Sequence, residues 1–292
     1  MSDSGFTRKK LDLTITLGSG SFGDTLADTV TLSGFRMSAD VKNPGGDSMG
    51  MYQGRVYGMK AATMNQLTTI GTINRAVKTK NTVLLAAGDN ESGMQSVFQG
   101  VIYDAWADYN TSPDVAFNII AYAGLDAAVK PVGATSYRGP TAVATIMTAF
   151  ATEMGLTFEN NGVAVTLGNP YFSGTTLNKL RQCARAANIL YTIDRGVLAI
   201  WNKVGGRATV GDVPLLSPTT GLVGYPALSS KGMTINSLFN YNIQLGRDVQ
   251  VKSSIPMACG KWRVFNVSHS LSSELADGTW FTTTDVYNVD GQ

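Results

Sequence analysis

Polar and apolar residues alternate along the first part of the chain. Leu11, Leu13, Ile15 and Leu17 are separated by Asp12, Thr14 and Thr16, the period of a strand with one buried face. Similar runs recur at 29–32, 35–41, 53–59, 82–87, 97–105 and 115–122, with glycine-rich turns between them, which predicts a sandwich or barrel. The stretch 123–139 then brings Pro131, Gly133 and the Gly139-Pro140 pair, the breakers of a domain boundary.

Beyond that boundary the period changes. Val143, Ile146, Met147, Phe150 and Met154 recur at helical spacing, and Gly155 supplies a stop. Leu156-Thr157-Phe158 follows, then Asn160-Asn161-Gly162 and Val163-Ala164-Val165; Asn-Gly between apolar runs is a strong hairpin signal. The same order recurs at once. Leu177, Leu180, Ala184 and Ala187 form a second stripe, and 189–193 turns at Asp194-Arg195-Gly196 into 197–201. A duplicated helix-hairpin module is therefore expected, with copies at 139–167 and 175–201. Such repetition points to architecture before chemistry, because a catalytic constellation rarely needs two copies of its scaffold. A loop-rich stretch runs from Gly205-Gly206 through Ser217-Pro218 to Gly221, and strands return at 232–242, 248–254, 262–271 and 279–286. The expected fold class is α+β, mainly β. Its expected domains are a first β-barrel at 1–125, the inserted module at 139–201 and a second β-barrel at 202–292, the last completed by segments flanking the insert.

Charge narrows the function. Only 15% of the 292 residues are charged, net charge is +2, and there are 32 glycines. So weakly charged a surface is expected to be partly covered by other subunits. The basic clusters, Arg8-Lys9-Lys10 and Arg75 with Lys78 and Lys80, are short and do not make a nucleic-acid footprint. No apolar run approaches the ~20 residues of a membrane span. The opening Met1-Ser2-Asp3-Ser4-Gly5 lacks the order of a signal peptide, so synthesis in a cytoplasm without membrane insertion is expected. Cys183 and Cys259 cannot form a disulfide framework and are expected to be buried thiols.

Candidate chemistry is sparse. Gly18-Ser19-Gly20-Ser21-Phe22-Gly23 matches G-x-G-x-x-G, but the strand pattern at 29–32 follows where a dinucleotide fold needs a helix. A kinase reading also fails, because the single histidine, His269, is followed by Ser270-Leu271 and not by Arg-Asp. His269 lies on an alternating strand with no nucleophile motif to partner it, and one histidine cannot supply a usual zinc set. The four glutamates, Glu91, Glu153, Glu159 and Glu274, bracket no glycosidase pair. Trp106, Trp201, Trp262 and Trp280 read as core or interface anchors. No catalytic, cofactor-binding or metal residue is expected.

With these residues in view, the chain resembles the baseplate hub proteins of long-tailed bacteriophages over nearly its whole length. The resemblance is carried by the stretch from Arg8 to Leu17 with Gly20-Ser21-Phe22-Gly23, by Asn81-Thr82-Val83 leading to Ala87-Gly88-Asp89, and by Val97-Phe98-Gln99-Gly100 with Ala105-Trp106-Ala107-Asp108. Gly155 to Val163 and Asn169-Pro170-Tyr171-Phe172-Ser173-Gly174-Thr175 continue it. Val223-Gly224-Tyr225-Pro226, Gly260-Lys261-Trp262-Arg263-Val264, His269-Ser270-Leu271 and Trp280-Phe281-Thr282 complete it. The resemblance implies two tail-tube-like β-barrel domains with the duplicated module inserted. It implies a homotrimer in the virion's tail baseplate that meets the tail tube or a tube-initiator protein, the spike protein and the tape measure protein. DNA passes it without specific binding, which the lack of a basic stripe suits. Any lytic activity is left to another protein. The rival readings are a distal tail or tube-initiator protein, a cell-wall hydrolase and a carbohydrate-binding adhesin.

Overall fold

The computed structural model describes residues 7–23, 26–69, 80–209, 211–230 and 232–289. Arg75 and Lys78 lie outside them. Two compact units form, the first from Met1–Val41, Met51–Leu125 and His269–Trp280, the second from Lys42–Gly50, Asp126–Ser268 and Phe281–Gln292.

The first unit's strands are β1 (Lys10–Thr16), β2 (Thr29–Ser33), β3 (Met37–Asn43), β4 (Met51–Tyr57), β5 (Thr82–Asp89), β6 (Gly93–Asp108) and β7 (Ala116–Tyr122), in the order β3-β4-β7-β6-β5-β1-β2. From β4 to β2 every pair is antiparallel. Period-two patterning sets the register: Leu13 lies opposite both Leu32 and Leu85, and Leu11, Leu13 and Ile15 are buried. The register of β6 shifts at Ile102/Asp104, so this long strand bends while pairing with both β5 and β7. The rings of Tyr52 and Phe98 stack at 5.6 Å and lie back over Gly54 and Gly100, where a Cβ would collide with them. One helix was not expected here. α1 (Ala61–Leu67) interrupts the strands and buries only Met64 and Leu67, too short a stripe to register as periodic.

α2 (Leu125–Val129) leads to the inserted module, which comprises β8 (Thr135–Ser136), β9 (Pro140–Ala142), α3 (Val143–Glu153), β10 (Thr157–Asn161), β11 (Thr166–Gly168), β12 (Tyr171–Phe172), α4 (Thr176–Ala187), β13 (Ile189–Asp194) and β14 (Val197–Asn202). Both helices form where the stripes require them. α3 ends at Gly155, φ +69°, with the Leu156 amide donating to Ala151 O and the Gly155 amide to Thr152 O. α4 starts under Thr175, whose hydroxyl accepts from the Asn178 amide, and ends at Asn188 in the left-handed region. Val143, Ile146, Met147, Phe150, Leu180, Cys183, Ala184, Leu198 and Ile200 share one core, with Phe150 edge-on to Phe172 at 5.8 Å.

The second hairpin is present and the first is not. β13 and β14 pair antiparallel around Arg195-Gly196, both with positive φ, the two-residue turn that matches strand twist. β10 instead pairs in parallel with β14, and β11 pairs with β9. The reason is local: the Asn160 side chain accepts from the Val163 amide and donates to the Val163 carbonyl. That side-chain turn uses the groups a returning strand would need.

The remaining strands are β15 (Leu215–Leu216), β16 (Ala227–Ser229), β17 (Gly232–Leu238), β18 (Asp248–Val251), β19 (Gly260–Ser273) and β20 (Trp280–Asn288). They follow the order β16-β17-β20-β19, with β18 on β19 and β15 on β18. Met233, Ile235, Val249, Val251, Trp262, Val264 and Val286 fill their core. Among the described residues no closed barrel forms, contrary to the two expected: the strand paths end at β2 and at β16. No helix among them is long and apolar enough to cross a membrane.

Candidate functional site

The glycine loop connects two strands. Gly20 and Gly23 have φ of +85° and +41°, the Phe22 amide donates to Ala27 O, and β2 then pairs antiparallel with β1. A Cβ at Gly20 or Gly23 would meet nothing within 4 Å among the described residues, and a positive φ is a conformation that glycine adopts freely. The Gly18 amide donates to Asn81 Oδ1 at 3.1 Å.

The other singled-out residues are dispersed. His269 is buried on β19. Cys183 is buried on α4, and burial pushes its thiol up to about 12. Cys259 is exposed, against expectation, because its Sγ sits in a tight turn against the backbone of Ser253 and Ile255. Glu91 lies in the β5–β6 turn, Glu153 at the exposed end of α3, Glu159 on β10 against Arg207, and Glu274 beyond β19 against Arg8. Trp201 and Trp262 are buried and Trp106 is partly exposed. No group of three or more potential metal ligands occurs among the described residues.

What the chain does build is paired charge and polar sheet faces. In the first unit a cleft of about 430 Å³ is lined by Arg8, Lys10, Asp12, Asp89, Asn90 and Glu274 with their neighbours. Its charges are mutually engaged. Arg8 donates to both Glu274 oxygens at 2.7 and 2.5 Å, and Lys10 to Asn90 at 2.6 Å. The Lys9 ammonium at 2.7 Å, with the Ser92 and Glu91 amides and the Ser92 hydroxyl, holds the Asp89 carboxyl far below the usual range. In the second unit Asp47 ties the 42–50 segment to α4 and β13: Arg185 and Tyr191 donate to its carboxylate and Arg181 to its carbonyl. Arg185 is the main reason the Asp47 pKa is lowered. Glu159, Arg207, Arg195 and Arg247 make a further cluster. None of these clusters was read from the sequence: Arg8-Lys9-Lys10 stands out there as a run, but its partners Asp89 and Glu274 lie in distant segments.

The polar faces are ladders of hydroxyls and amides. On β1 and β2, Thr14 meets Thr31 at 3.0 Å, Thr16 meets Thr29 at 3.1 Å, and Ser33 donates to Asp12 at 2.6 Å. On β17, β20 and β19, Thr234 and Asn266 donate to Asp285 at 2.6 and 2.8 Å, and Thr283 donates to Asn236 at 2.8 Å. Lys10, engaged with Asn90, ends the β1 face, and the hydrogen-bonded pairs of the two ladders themselves involve no lysine or arginine, the groups that hold a phosphate backbone.

A sequence profile described as "Baseplate hub gp41" matches residues 13–285. No curated protein sequence matches the chain. Among solved structures, the 43 kDa tail protein of prophage MuSo2 from Shewanella oneidensis superposes with a TM-score of 0.62 at 10% identity, over 96% of this chain and 98% of that one. The tail protein from Neisseria meningitidis MC58 gives 0.60 at 9% identity, over 94% and 96%. The Escherichia coli c3393 protein is described as a type VI secretion component with structural similarity to the phage T4 tail proteins gp27 and gp5. It gives 0.59 at 9% identity, over 86% and 73%. At these identities the likeness is one of fold.

Proposed function

Because the chain belongs to the baseplate hub gp41 family, a family of structural phage-tail proteins, we propose that it is the hub subunit that ends the tail tube and seats the central spike. The family match across residues 13–285 is the observation that carries this reading. Three copies close a ring in which 1–125 and 202–292 act as tube-like domains around the insert at 139–201. Among the described residues β2 pairs only with β1, and this supports the reading: an open strand edge is a template for a neighbouring subunit, and pairing there completes a barrel that one chain leaves open.

The ring meets the tail tube or its initiator on one side, the spike on the other, and the tape measure protein within. DNA crosses it during ejection. The ladders of hydroxyls, amides and the carboxylates of Asp12 and Asp285 support a passage lining, since none of these groups supplies the positive charge that would hold a duplex in transit. The protein is made in the host cytoplasm and does no chemistry of its own. A phage carrying an amber stop in this gene tests the reading. Electron microscopy of the lysate should show defective tail tips and no infectious particles, restored by complementation. Complete tails that adsorb but fail to open the cell wall would favour a hydrolase instead.

A further inference from the structure

Three arginines of the second unit converge on the loop 239–247. Arg195 Nη1 donates to the Tyr241 carbonyl at 2.9 Å, the Arg207 amide donates to the Gly246 carbonyl at 2.8 Å, and Arg247 ends the loop with its own amide donating to Gln244 O at 3.2 Å. The loop contains no carboxylate. Those nearby are already engaged. Glu159 accepts through both oxygens from Arg207 at 2.8 and 2.7 Å, Asp194 faces Arg195 at 3.6 Å, and Asp248 is held by Arg263 and Lys261.

Cations therefore outnumber anions, and their donors are not used up. Arg195 Nε, Arg207 Nη1 and Arg247 Nε are buried and reach no hydrogen-bond acceptor among the described residues. Arg207 and Arg247 are only 6% and 8% exposed. A guanidinium does not shed its proton at working pH, so it cannot escape burial by neutralising and needs an acceptor. Burial first, then the neighbouring positive charge of Arg207, pushes the Arg247 pKa down, and the opposing pull of Glu159 and Asp194 does not offset it. The loop is also pinned. Gly246 has φ +79°, and a Cβ there would lie 2.7 Å from the Trp201 ring.

We propose that the 239–247 loop is an oxyanion site, in which a phosphate- or carboxylate-sized group bridges Arg207 and Arg247. Guanidinium groups bind oxyanions through charge-assisted hydrogen bonds; with Arg207 Nε and Nη2 held by Glu159, the donors left for such a ligand are Arg207 Nη1 and Arg247 Nε. This inference does not depend on the hub reading. Thermal unfolding of the full chain in sodium phosphate, sodium acetate and sodium chloride, at equal ionic strength and pH 7, tests it. Phosphate or acetate should raise Tm by about 4 °C over chloride at a hundredfold excess over Kd. The larger of the two shifts identifies whether a phosphate or a carboxylate is the better occupant. Arg247→Leu should abolish the shift while matching or exceeding wild-type Tm in chloride, because it removes an uncompensated buried charge. Arg247→Lys, which keeps the charge but loses the fork, should bind about tenfold more weakly. Equal Tm in all three salts, or an undiminished shift in Arg247→Leu, would overturn the proposal.

Discussion

Gly246 shows how much can rest on one missing methyl group. Its positive φ and the indole of Trp201 each exclude a Cβ, so Gly246→Ala is expected to cost ~1–3 kcal/mol in urea unfolding. A neutral result would mean that the Trp201 ring moves freely. Asp89 gives a pH signature. Its folded pKa is depressed, mainly by Lys9 and then by the Ser92 amide. Its contribution is therefore fully present above the unfolded carboxylate value of about 4 and is lost as pH falls below it. The stability gap between wild type and Asp89→Asn should be wide at pH 6 and close steadily below about pH 4; a gap independent of pH would contradict the ion pair. His269→Gln is expected to change stability at most, since no nucleophile motif accompanies this buried strand residue. A hydrolytic activity lost in that variant, with assembly intact, would refute the non-catalytic reading.

The inserted module concentrates its stability in two helices. Phe150 is almost wholly buried against Phe172, and Leu180 is fully buried in the same core. Phe150→Ala should therefore cost ~3–5 kcal/mol and Leu180→Ala ~2–5 kcal/mol, measured by chemical denaturation. Thermally normal variants would show that this core has been misplaced. These helices were legible because a one-sided stripe and a terminal glycine are local signals, as was the Arg195-Gly196 turn. The parallel pairing of β10 with β14 was not. It joins segments separated by α4, and nothing in Asn160-Asn161-Gly162 itself says that the next residues will leave rather than return. α1 escaped notice because two buried residues make no pattern. The arginine cluster escaped for the same reason at longer range, three single charges brought together only by folding.

At the scale of the whole molecule, low charge, a strand edge at β2 left open among the described residues and polar ladders whose hydrogen-bonded pairs involve no lysine or arginine fit an assembly subunit better than a nucleic-acid binder. The family match and the fold shared with phage tail proteins place the role in the tail. The hub reading adds symmetry and position to that, and both are directly observable. A cryo-EM reconstruction of the virion tail tip is the decisive measurement. The expected result is three copies of this chain in one ring between the last tube ring and the spike, with β2 paired to a neighbouring protomer. Six copies in a ring above a separate hub, or density for this chain on a fibre or away from the axis, would contradict it.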